Sequence, residues 1–288
     1  MNEQRQTTLA RPVRLSGVGI HKGEPVTLTI NPAPIGSGLL FVRSDMNAQP
    51  IPARADKVRD TRLATVIGEG EATVSTVEHV MAALAGMGVD NAVIEVDGPE
   101  TPILDGGARE FTAAIDAAGV TAQDAPRRYL EILEPVEVTA PGKRAALVPA
   151  KRLELAVEII FDAPVIGRQQ LDLAIDPASF RAELADAPTF GFIADVEKLH
   201  AAGLGRGASL ENTVVVDGER VLNPELLARA DDFVRHKALD ALGDLAMLGH
   251  PLLGRYESSC SGHALNHALV TAVLAKPEAW RLTTAPAT

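Results

Sequence analysis

The chain has 288 residues, a formal net charge of −11 and only 3% aromatic residues. This composition argues against a nucleic-acid-binding protein, which needs clustered Lys and Arg side chains and often stacking rings. The single cysteine, Cys260, excludes an internal disulfide and indicates a reducing compartment. No apolar run reaches the length of a membrane span, and the polar start Met1–Thr7 lacks the form of a signal peptide. We therefore expect a cytoplasmic protein without stable membrane insertion, built from one large or two medium domains.

Strand and helix patterns alternate along the chain. β-branched residues between turn signals predict strands at residues 26–30, 38–42, 92–96, 130–133, 145–148, 153–160 and 213–216. Apolar residues at helical spacing predict helices at residues 77–86, 110–118, 177–183, 193–202, 224–227, 233–247 and 264–275. Segment 120–126 is polar, contains proline and lacks periodicity, so we interpret it as a linker. The predicted domains are residues 1–122 and 127–288.

Two residues of the helix predicted near the C-terminal end can bind one metal ion. A helix turns once in 3.6 residues, so His236 and Asp240 project from the same face. Catalytic zinc usually has three protein ligands and one open position. His79, in the first predicted helix, is the candidate third ligand. Its neighbour Glu78 is the candidate general base for a water molecule.

Each of these residues also has a purely structural interpretation. Ser75–Glu78 fits a capping box, in which the glutamate accepts a hydrogen bond at the start of the helix. A single histidine in an apolar helix is often a core residue whose hydrogen bonds are satisfied. Buried carboxylates such as Asp240 and Asp244 need partners, which favours the metal site. The sequence alone leaves both interpretations open.

A further histidine follows a glycine turn near the C-terminal end. His263 is a candidate general acid, because an imidazolium held by Asp244 can protonate a leaving amine and stabilise an oxyanion. His263 and His267 are also four residues apart and form an alternative metal-binding pair. We favour the first interpretation, because this segment contains no acidic residue.

The glycine-rich segment 202–208 has the composition of a phosphate-binding loop. It lacks the Lys-Ser/Thr ending of a Walker motif. A glycine-rich stretch alone is a weak signal of phosphate binding.

Nine motifs in one order along the chain resemble those of the UDP-3-O-acyl-N-acetylglucosamine deacetylase (LpxC) family. They are Ser16–His21, Arg59–Thr61, Val74–His79, Ala82–Gly86, Asp90–Asn91, Pro102–Gly106, Phe233–Lys237, Gly249–His250 and Ser261–Asn266. The resemblance runs nearly end to end. It implies an α+β fold in which two similar βα domains pack as a β-α-α-β sandwich, with helices between the sheets. It also implies an inserted element at about 193–217 that forms a passage for the substrate's acyl chain.

The resemblance assigns a role to each candidate site residue. One catalytic Zn²⁺ is held by His79, His236 and Asp240; Glu78 is the general base and His263 the general acid paired with Asp244. The resemblance adds residues that nothing else in the sequence singles out: Thr189 near the substrate carbonyl, Lys237 at the anionic part of the substrate, Lys143 and Phe161 in a uridine pocket, and Phe190 and His21 as site-lining residues. Ala64 and Val66 stand where some relatives have cysteines, and Ile160 stands where some have an aspartate.

The implied reaction is zinc-dependent hydrolysis of the N-acetyl group of UDP-3-O-acyl-N-acetylglucosamine, giving the free amine and acetate. In a Gram-negative bacterium this is the committed step of lipid A biosynthesis. A site of two histidines and one carboxylate also accepts iron(II) or cobalt. Two alternatives stay open: a catalytically silent sugar-nucleotide-binding module, and a zinc amidase for another N-acyl amino sugar. We expect a monomer whose partner is the sugar-nucleotide substrate.

Overall fold

Helices form where the longest apolar runs occur. The computed structural model describes residues 4–284 and contains, within that range, six α-helices: α1 (Glu78–Gly86), α2 (Arg109–Ala118), α3 (Pro177–Glu183), α4 (Val196–Ala201), α5 (Asp232–Leu245) and α6 (His263–Leu274). Short 3-10 turns lie at Ala55–Lys57, Ile193–Asp195, Pro224–Leu226, Ala246–Leu248 and Pro277–Ala279. The predicted helices are confirmed, except that 224–227 is only a 3-10 turn and 193–202 divides into a 3-10 turn and α4. No helix within residues 4–284 is long and apolar enough to cross a membrane.

Ten strands belong to the first half of the chain. They are β1 (Arg5–Leu9), β2 (Val13–Val18), β3 (Pro25–Pro32), β4 (Leu39–Arg43), β5 (Ile51–Pro52), β6 (Val58–Asp60), β7 (Val66–Glu69), β8 (Ala72–Val74), β9 (Ala92–Val96) and β10 (Val120–Pro126). The main sheet has the order β2-β3-β9-β4-β5, and β6-β7-β8 form a smaller antiparallel sheet. Only the β4–β9 pair of the main sheet is parallel.

The second half repeats this design with a larger sheet. Its strands are β11 (Tyr129–Ile132), β12 (Val136–Ala140), β13 (Lys143–Val148), β14 (Leu153–Ile160), β15 (Arg168–Ala174), β16 (Phe190–Phe192), β17 (Val214–Asp217), β18 (Arg220–Val221), β19 (Leu252–Ser259) and β20 (Trp280–Thr283). Strands β12-β13-β19-β11-β20 form one path, and β14 adds to β19 and carries β15. Strands β16-β17-β18 form a separate small sheet.

Helices α1 and α5 pack against each other in the centre of the molecule. Every residue of α1 except Ala85 is buried, and so is every residue of α5 except Arg235 and Lys237. Helix α5 also packs on β14 and β15, and α2 packs on β2. A helix that is buried on all sides must be covered by other elements on both faces. The α+β class with helices between sheets is therefore confirmed.

The segment predicted as a linker is a strand. Residues 120–126 form β10, which pairs antiparallel with β1 near the N-terminal end. Its side chains are mostly exposed, because this two-stranded ribbon lies at the surface, and an exposed strand needs no apolar face. The linker interpretation is wrong in its local structure. The division into domains at 1–122 and 127–288 stays a prediction.

Candidate active site

A residue with an unusual backbone conformation lies just before α1. Thr76 has a φ of +57°, in the left-handed region that a β-branched residue rarely adopts. Its hydroxyl donates to Glu100 Oε1 at 2.9 Å, which stabilises this conformation. Val77 is the N-cap residue and no side chain caps the helix, so the capping-box interpretation of Ser75–Glu78 is wrong. The Glu78 carboxylate instead accepts from the backbone N–H of Thr65 at 3.0 Å.

Three buried side chains converge between α1 and α5. His79 Nε2 and His236 Nε2 lie 3.5 Å and 3.4 Å from Asp240 Oδ1. Ligand atoms at about 2.0–2.1 Å from a zinc ion, at tetrahedral angles, are about 3.4 Å apart. The spacing of these three donors therefore fits one metal ion. Within residues 4–284 they are the only group of three or more His, Cys, Asp or Glu side chains close enough to hold one.

The polar surroundings orient two of these donors. His236 Nδ1 lies 3.1 Å from the carbonyl oxygen of Ala187, so a proton on that nitrogen leaves Nε2 free to bind metal. Burial lowers the pKa of His236 to about 3, which keeps the ring neutral, as a ligand must be. Burial alone would raise the pKa of Asp240, but His236 and Lys237 hold it well below its ordinary value. Lys237 Nζ donates to Asp240 Oδ2 at 2.8 Å.

The third donor has an unusual environment. His79 Nδ1 is buried without a hydrogen-bond partner, and so is Asp105 Oδ1. Burial raises the pKa of Asp105, and His79 is one of the groups that act against this rise. Asp105 could not be predicted as part of this site, apart from its place in the Pro102–Gly106 motif.

A second group of titratable side chains lies beside the three donors. His263 Nε2 is 3.7 Å from Glu78 Oε1, and His263 Nδ1 donates to Asp244 Oδ2 at 2.9 Å. Burial alone would lower the pKa of His263, but the carboxylates of Asp244 and Glu78 raise it to about 10. Burial raises the pKa of Glu78, with His263 and His79 opposing. A carboxyl group and an imidazolium with pKa values moved in this way are suited to exchange protons near neutral pH.

The alternative pairing of His263 with His267 has no third ligand. His267 belongs to no group of three possible ligands within the described residues. Its Nδ1 is buried and unpaired. The metal-pair interpretation of these two histidines is therefore not supported.

An aromatic cluster covers the outer side of His236. The Phe190 ring meets the His236 ring at 6.2 Å between centroids and the Phe161 ring at 5.6 Å, both edge to face. Phe192 is 5.8 Å from Phe161. Lys237 Nζ lies over the Phe190 ring, 5.3 Å from its centroid. The structure thus brings Phe161, Phe190 and Lys237 together beside the metal donors.

Thr189, the residue before Phe190, is fixed by its backbone. Its N–H donates to the carbonyl oxygen of Gly106 at 2.8 Å, and its own carbonyl accepts from Val214 at 2.8 Å. It is two residues from Ala187, which contacts His236. Thr189 therefore lies between a loop of the first half and strand β17.

Two further predicted residues approach His263 from different sides. Lys143 lines a cleft of about 500 Å³ together with His263, Leu63 and Pro141. Burial is the main cause that lowers the pKa of His21. The charge of the nearby His263 ring lowers it further, and Glu100 acts in the opposite direction. The Nδ1 atom of His21 is buried without a hydrogen-bond partner. Eleven of the twelve predicted site residues are thus connected to one region by the contacts given above, whereas Thr189 is located only by its backbone bonds.

Comparisons with known proteins identify the family. The family model of UDP-3-O-acyl N-acetylglycosamine deacetylase (LpxC) matches residues 6–275. The chain belongs to the LpxC family. It is 53% identical over 282 residues to the UDP-3-O-acyl-N-acetylglucosamine deacetylase of Phenylobacterium zucineum, which covers 97% of this chain and 96% of that protein. Proteins of the same name from Myxococcus xanthus (49%; 96% and 88%) and Shewanella sp. strain ANA-3 (47%; 96% and 92%) are also similar. The resemblance seen in the motifs is confirmed.

The glycine-rich segment of this LpxC-family chain contacts protein rather than an open site. The N–H groups of Arg206 and Gly207 donate to the carbonyl oxygens of His21 and Ile20. A Cβ atom at Gly207 would lie 2.1 Å from the carbonyl oxygen of Gly19, so only glycine fits there. These two N–H groups are therefore not free to bind a phosphate. Gly207 instead lets this segment pack closely on the backbone of Gly19.

Sequence analysis missed two residues that hold the Glu78–His263 pair. Asn266 Nδ2 donates to Asp244 Oδ2 at 2.8 Å, and its own Oδ1 accepts from Tyr256 and Ser261, both at 2.6 Å. Thr65 contacts Asp244 as well. Asn266 belongs to the Ser261–Asn266 motif, in which only His263 has the chemistry of a catalytic group, and no pattern in the sequence marks Thr65.

Proposed function

We propose that this LpxC-family chain hydrolyses the N-acetyl group of UDP-3-O-acyl-N-acetylglucosamine and releases acetate. This reaction is the committed step of lipid A biosynthesis. The observation that carries the proposal is the arrangement of His79, His236 and Asp240 beside the Glu78–His263 pair. Three metal donors, a base and an acid within a few ångströms are the groups that metal-assisted amide hydrolysis requires.

The metal that fits this site best is one Zn²⁺ ion, held by His79, His236 and Asp240. The donor spacing of 3.4–3.5 Å supports it, and so do the buried neutral His236 ring and the anionic Asp240. Bound zinc would polarise the amide carbonyl and lower the pKa of a bound water molecule toward about 7. The donor set also admits iron(II) or cobalt, so metal identity is part of the test.

The protein's own groups then move the protons. Glu78, with its carboxylate anchored on the N–H of Thr65, takes a proton from the attacking water. His263, held protonated by Asp244, gives a proton to the nitrogen that leaves as the free amine. The hydroxyl of Thr189 stabilises the oxyanion that develops on the former carbonyl oxygen.

Local cations and rings bind the rest of the substrate. Lys237 and Lys143 supply positive charge near the site in a chain whose net charge is −11. Phe161 contributes a ring for the uracil base, while Phe190 and His21 line the site. The element at about 193–217 accommodates the acyl chain. Because Ile160 is 53% exposed beside Phe161 and carries no hydrogen-bonding group, this chain relies less on that position to recognise the nucleotide.

The enzyme would act as a cytoplasmic monomer. The site lies between residues 1–122 and 127–288, so both proposed domains supply ligands within one chain, and no second copy is needed to complete it. It has no stable membrane insertion and no nucleic-acid partner.

The test is acetate release from UDP-3-O-acyl-N-acetylglucosamine by the purified protein, before and after chelation and after stoichiometric zinc is returned. We expect activity to disappear on chelation and to return with zinc. Glu78→Ala and His263→Ala should each lower turnover by about two orders of magnitude or more and keep the metal. His79→Ala and Asp240→Ala should lose the metal itself.

Two results would contradict this proposal. Equal metal loss in all four variants would refute the division of roles. A metal-loaded protein that releases no acetate would instead favour another N-acyl amino sugar or a silent binding module.

A further inference from the structure

Thr65 is a buried residue that touches both catalytic groups of the site. It lies directly before β7 and is only 2% exposed. Its backbone N–H donates to Glu78 Oε2 at 3.0 Å, and its hydroxyl donates to Asp244 Oδ1 at 2.6 Å. The first contact lies within the N-terminal half, and the second crosses to α5. One residue therefore links the candidate base to the partner of the candidate acid.

The hydroxyl bond determines how the Asp244 carboxylate is turned. Asp244 Oδ2 accepts from His263 Nδ1 at 2.9 Å and from Asn266 Nδ2 at 2.8 Å, while Oδ1 accepts from Thr65. With a donor on each side, rotation of the carboxylate would break at least one bond. Without the hydroxyl, the buried Oδ1 atom would lose this donor. The carboxylate could then rotate, so that His263 and Asn266 would donate to different oxygens than they do now.

We propose that Thr65 is a positioning residue. Its hydroxyl fixes the Asp244 carboxylate, and that carboxylate in turn holds the His263 ring with its Nε2 atom near Glu78. The distance between His263 Nε2 and Glu78 Oε1 is 3.7 Å, so a small tilt of the ring changes the geometry of proton delivery considerably. The Thr65 hydroxyl also lies 3.4 Å from His263 Nδ1, which blocks movement of the ring toward it. Both of these side-chain contacts of Thr65 are with Asp244 and His263, which are not among the three metal donors.

The experiment compares variants that separate the hydroxyl from the methyl group. Thr65→Val removes the hydroxyl and keeps the shape, and Thr65→Ser keeps the hydroxyl. Thr112→Val is the matched control. Thr112 lies in α2, is also buried, and its hydroxyl donates a hydrogen bond to the backbone carbonyl of Ala108. Acetate release, bound metal and thermal unfolding are measured for each.

We expect Thr65→Val to lower kcat about 10- to 100-fold, as removal of partners that orient catalytic groups typically does. Its KM and metal content should stay within about twofold of wild type, since the removed hydroxyl acts through Asp244 and His263. Thr65→Ser should keep most of kcat, and Thr112→Val all of it. A second readout is independent of turnover: the low-field proton resonance of His263 Nδ1 should shift or broaden in Thr65→Val alone.

Several outcomes would overturn this inference. They are unchanged kcat and an unchanged proton resonance in Thr65→Val, a change in KM alone, and equal impairment of Thr65→Ser and Thr65→Val. If Thr65→Val fails to fold, Thr65→Ala is compared with Thr65→Ser, because these two differ only in the hydroxyl. The inference rests on the proposed function. An inactive wild-type protein would refute that function, whereas an active wild type with an unaffected Thr65→Val would refute only the role of Thr65.

Discussion

The raised pKa of His263 makes the Asp244→Asn variant the most informative perturbation of this site. Burial alone would lower the pKa of His263, yet Asp244 and Glu78 raise it from 6.5 to about 10. At about 1.36 kcal/mol per pH unit, this change corresponds to roughly 5 kcal/mol in favour of the charged ring. Asp244 is the closer carboxylate, at 2.9 Å against 3.7 Å for Glu78. We therefore attribute the larger part of this stabilisation to Asp244.

Replacement by asparagine keeps the size and removes the charge. The pKa of His263 should then fall, which moves the basic limb of the pH–rate profile toward neutral pH. The amide also offers one acceptor to three donors, those of Thr65, His263 and Asn266. Loss of a charge-assisted bond is worth about 1.5–3 kcal/mol, so kcat on the plateau should fall about 10- to 100-fold.

The assay is acetate release as a function of pH, together with an NMR titration of the His263 ring in the metal-free protein. Asp231→Asn is the control, since it removes a carboxylate from the start of the same helix, where Asp231 pairs with Arg235 away from the site. Its profile should match wild type. An Asp244→Asn protein whose His263 ring still titrates at the wild-type pH would refute the reasoning.

The same pKa change affects stability in a defined direction. The pKa of His263 is higher in the folded than in the unfolded protein, so its contribution is complete below about pH 6.5 and is lost as pH rises toward 10. The free energy of unfolding of the metal-free protein should therefore decline across this range. In Asp244→Asn the decline should be smaller.

Two further predictions concern the packing that supports the site. Gly243→Ala places a Cβ atom 2.0 Å from the carbonyl oxygen of Glu78. We therefore expect the free energy of unfolding, measured by chemical denaturation, to fall by about 1–3 kcal/mol or more. Gly98→Ala is the control and should change stability little, because the nearest contact of its Cβ atom would be an ordinary 3.4 Å. Arg127→Met removes the ion-pair partner of the half-buried Asp90, 2.9 Å away, and leaves its carboxylate only the hydrogen bonds from Thr7, so it should cost about 1.5–3 kcal/mol at neutral pH. Burial already raises the pKa of Asp90, so protonation relieves its cost, and the deficit of Arg127→Met should shrink as pH falls; a deficit that does not depend on pH would contradict this.

The helices could be predicted more completely than the strands: all seven predicted strands are confirmed, but the other thirteen strands within residues 4–284 were not predicted. Helical periodicity is a local signal, and the ends of α1, α5 and α6 agree with the predicted ends within two residues. Strands depend on partners that are distant in the chain. Strands β1 and β10 pair across more than a hundred residues and are largely polar, because their ribbon lies at the surface. No window of sequence contains both strands of such a pair.

The site shows the same division between local and distant information. The spacing of His236 and Asp240 is a property of one helix, so it could be predicted. The role of Glu78 could not be separated from capping, since that choice depends on the backbone conformation of Thr76 and on contact with Thr65. His79 was a candidate third ligand from the sequence, and the family resemblance assigned it that role. The contacts of Thr65 depend on residues distant in the chain, so only the folded structure shows them.

The contact at Gly243 explains why the two halves must dock closely for the site to exist. His79 Nε2 belongs to α1 and Asp240 Oδ1 to α5, and they must approach to 3.5 Å to share one ion. One turn further along α5, Gly243 lets the backbone of α5 reach the carbonyl of Glu78, where any larger residue would push the helices apart. Separation by even 1 Å would place the donors outside the bonding distances of a single metal. The absence of a side chain at position 243 therefore supports the proposed metal site, and metal affinity should fall together with stability when Gly243 is replaced.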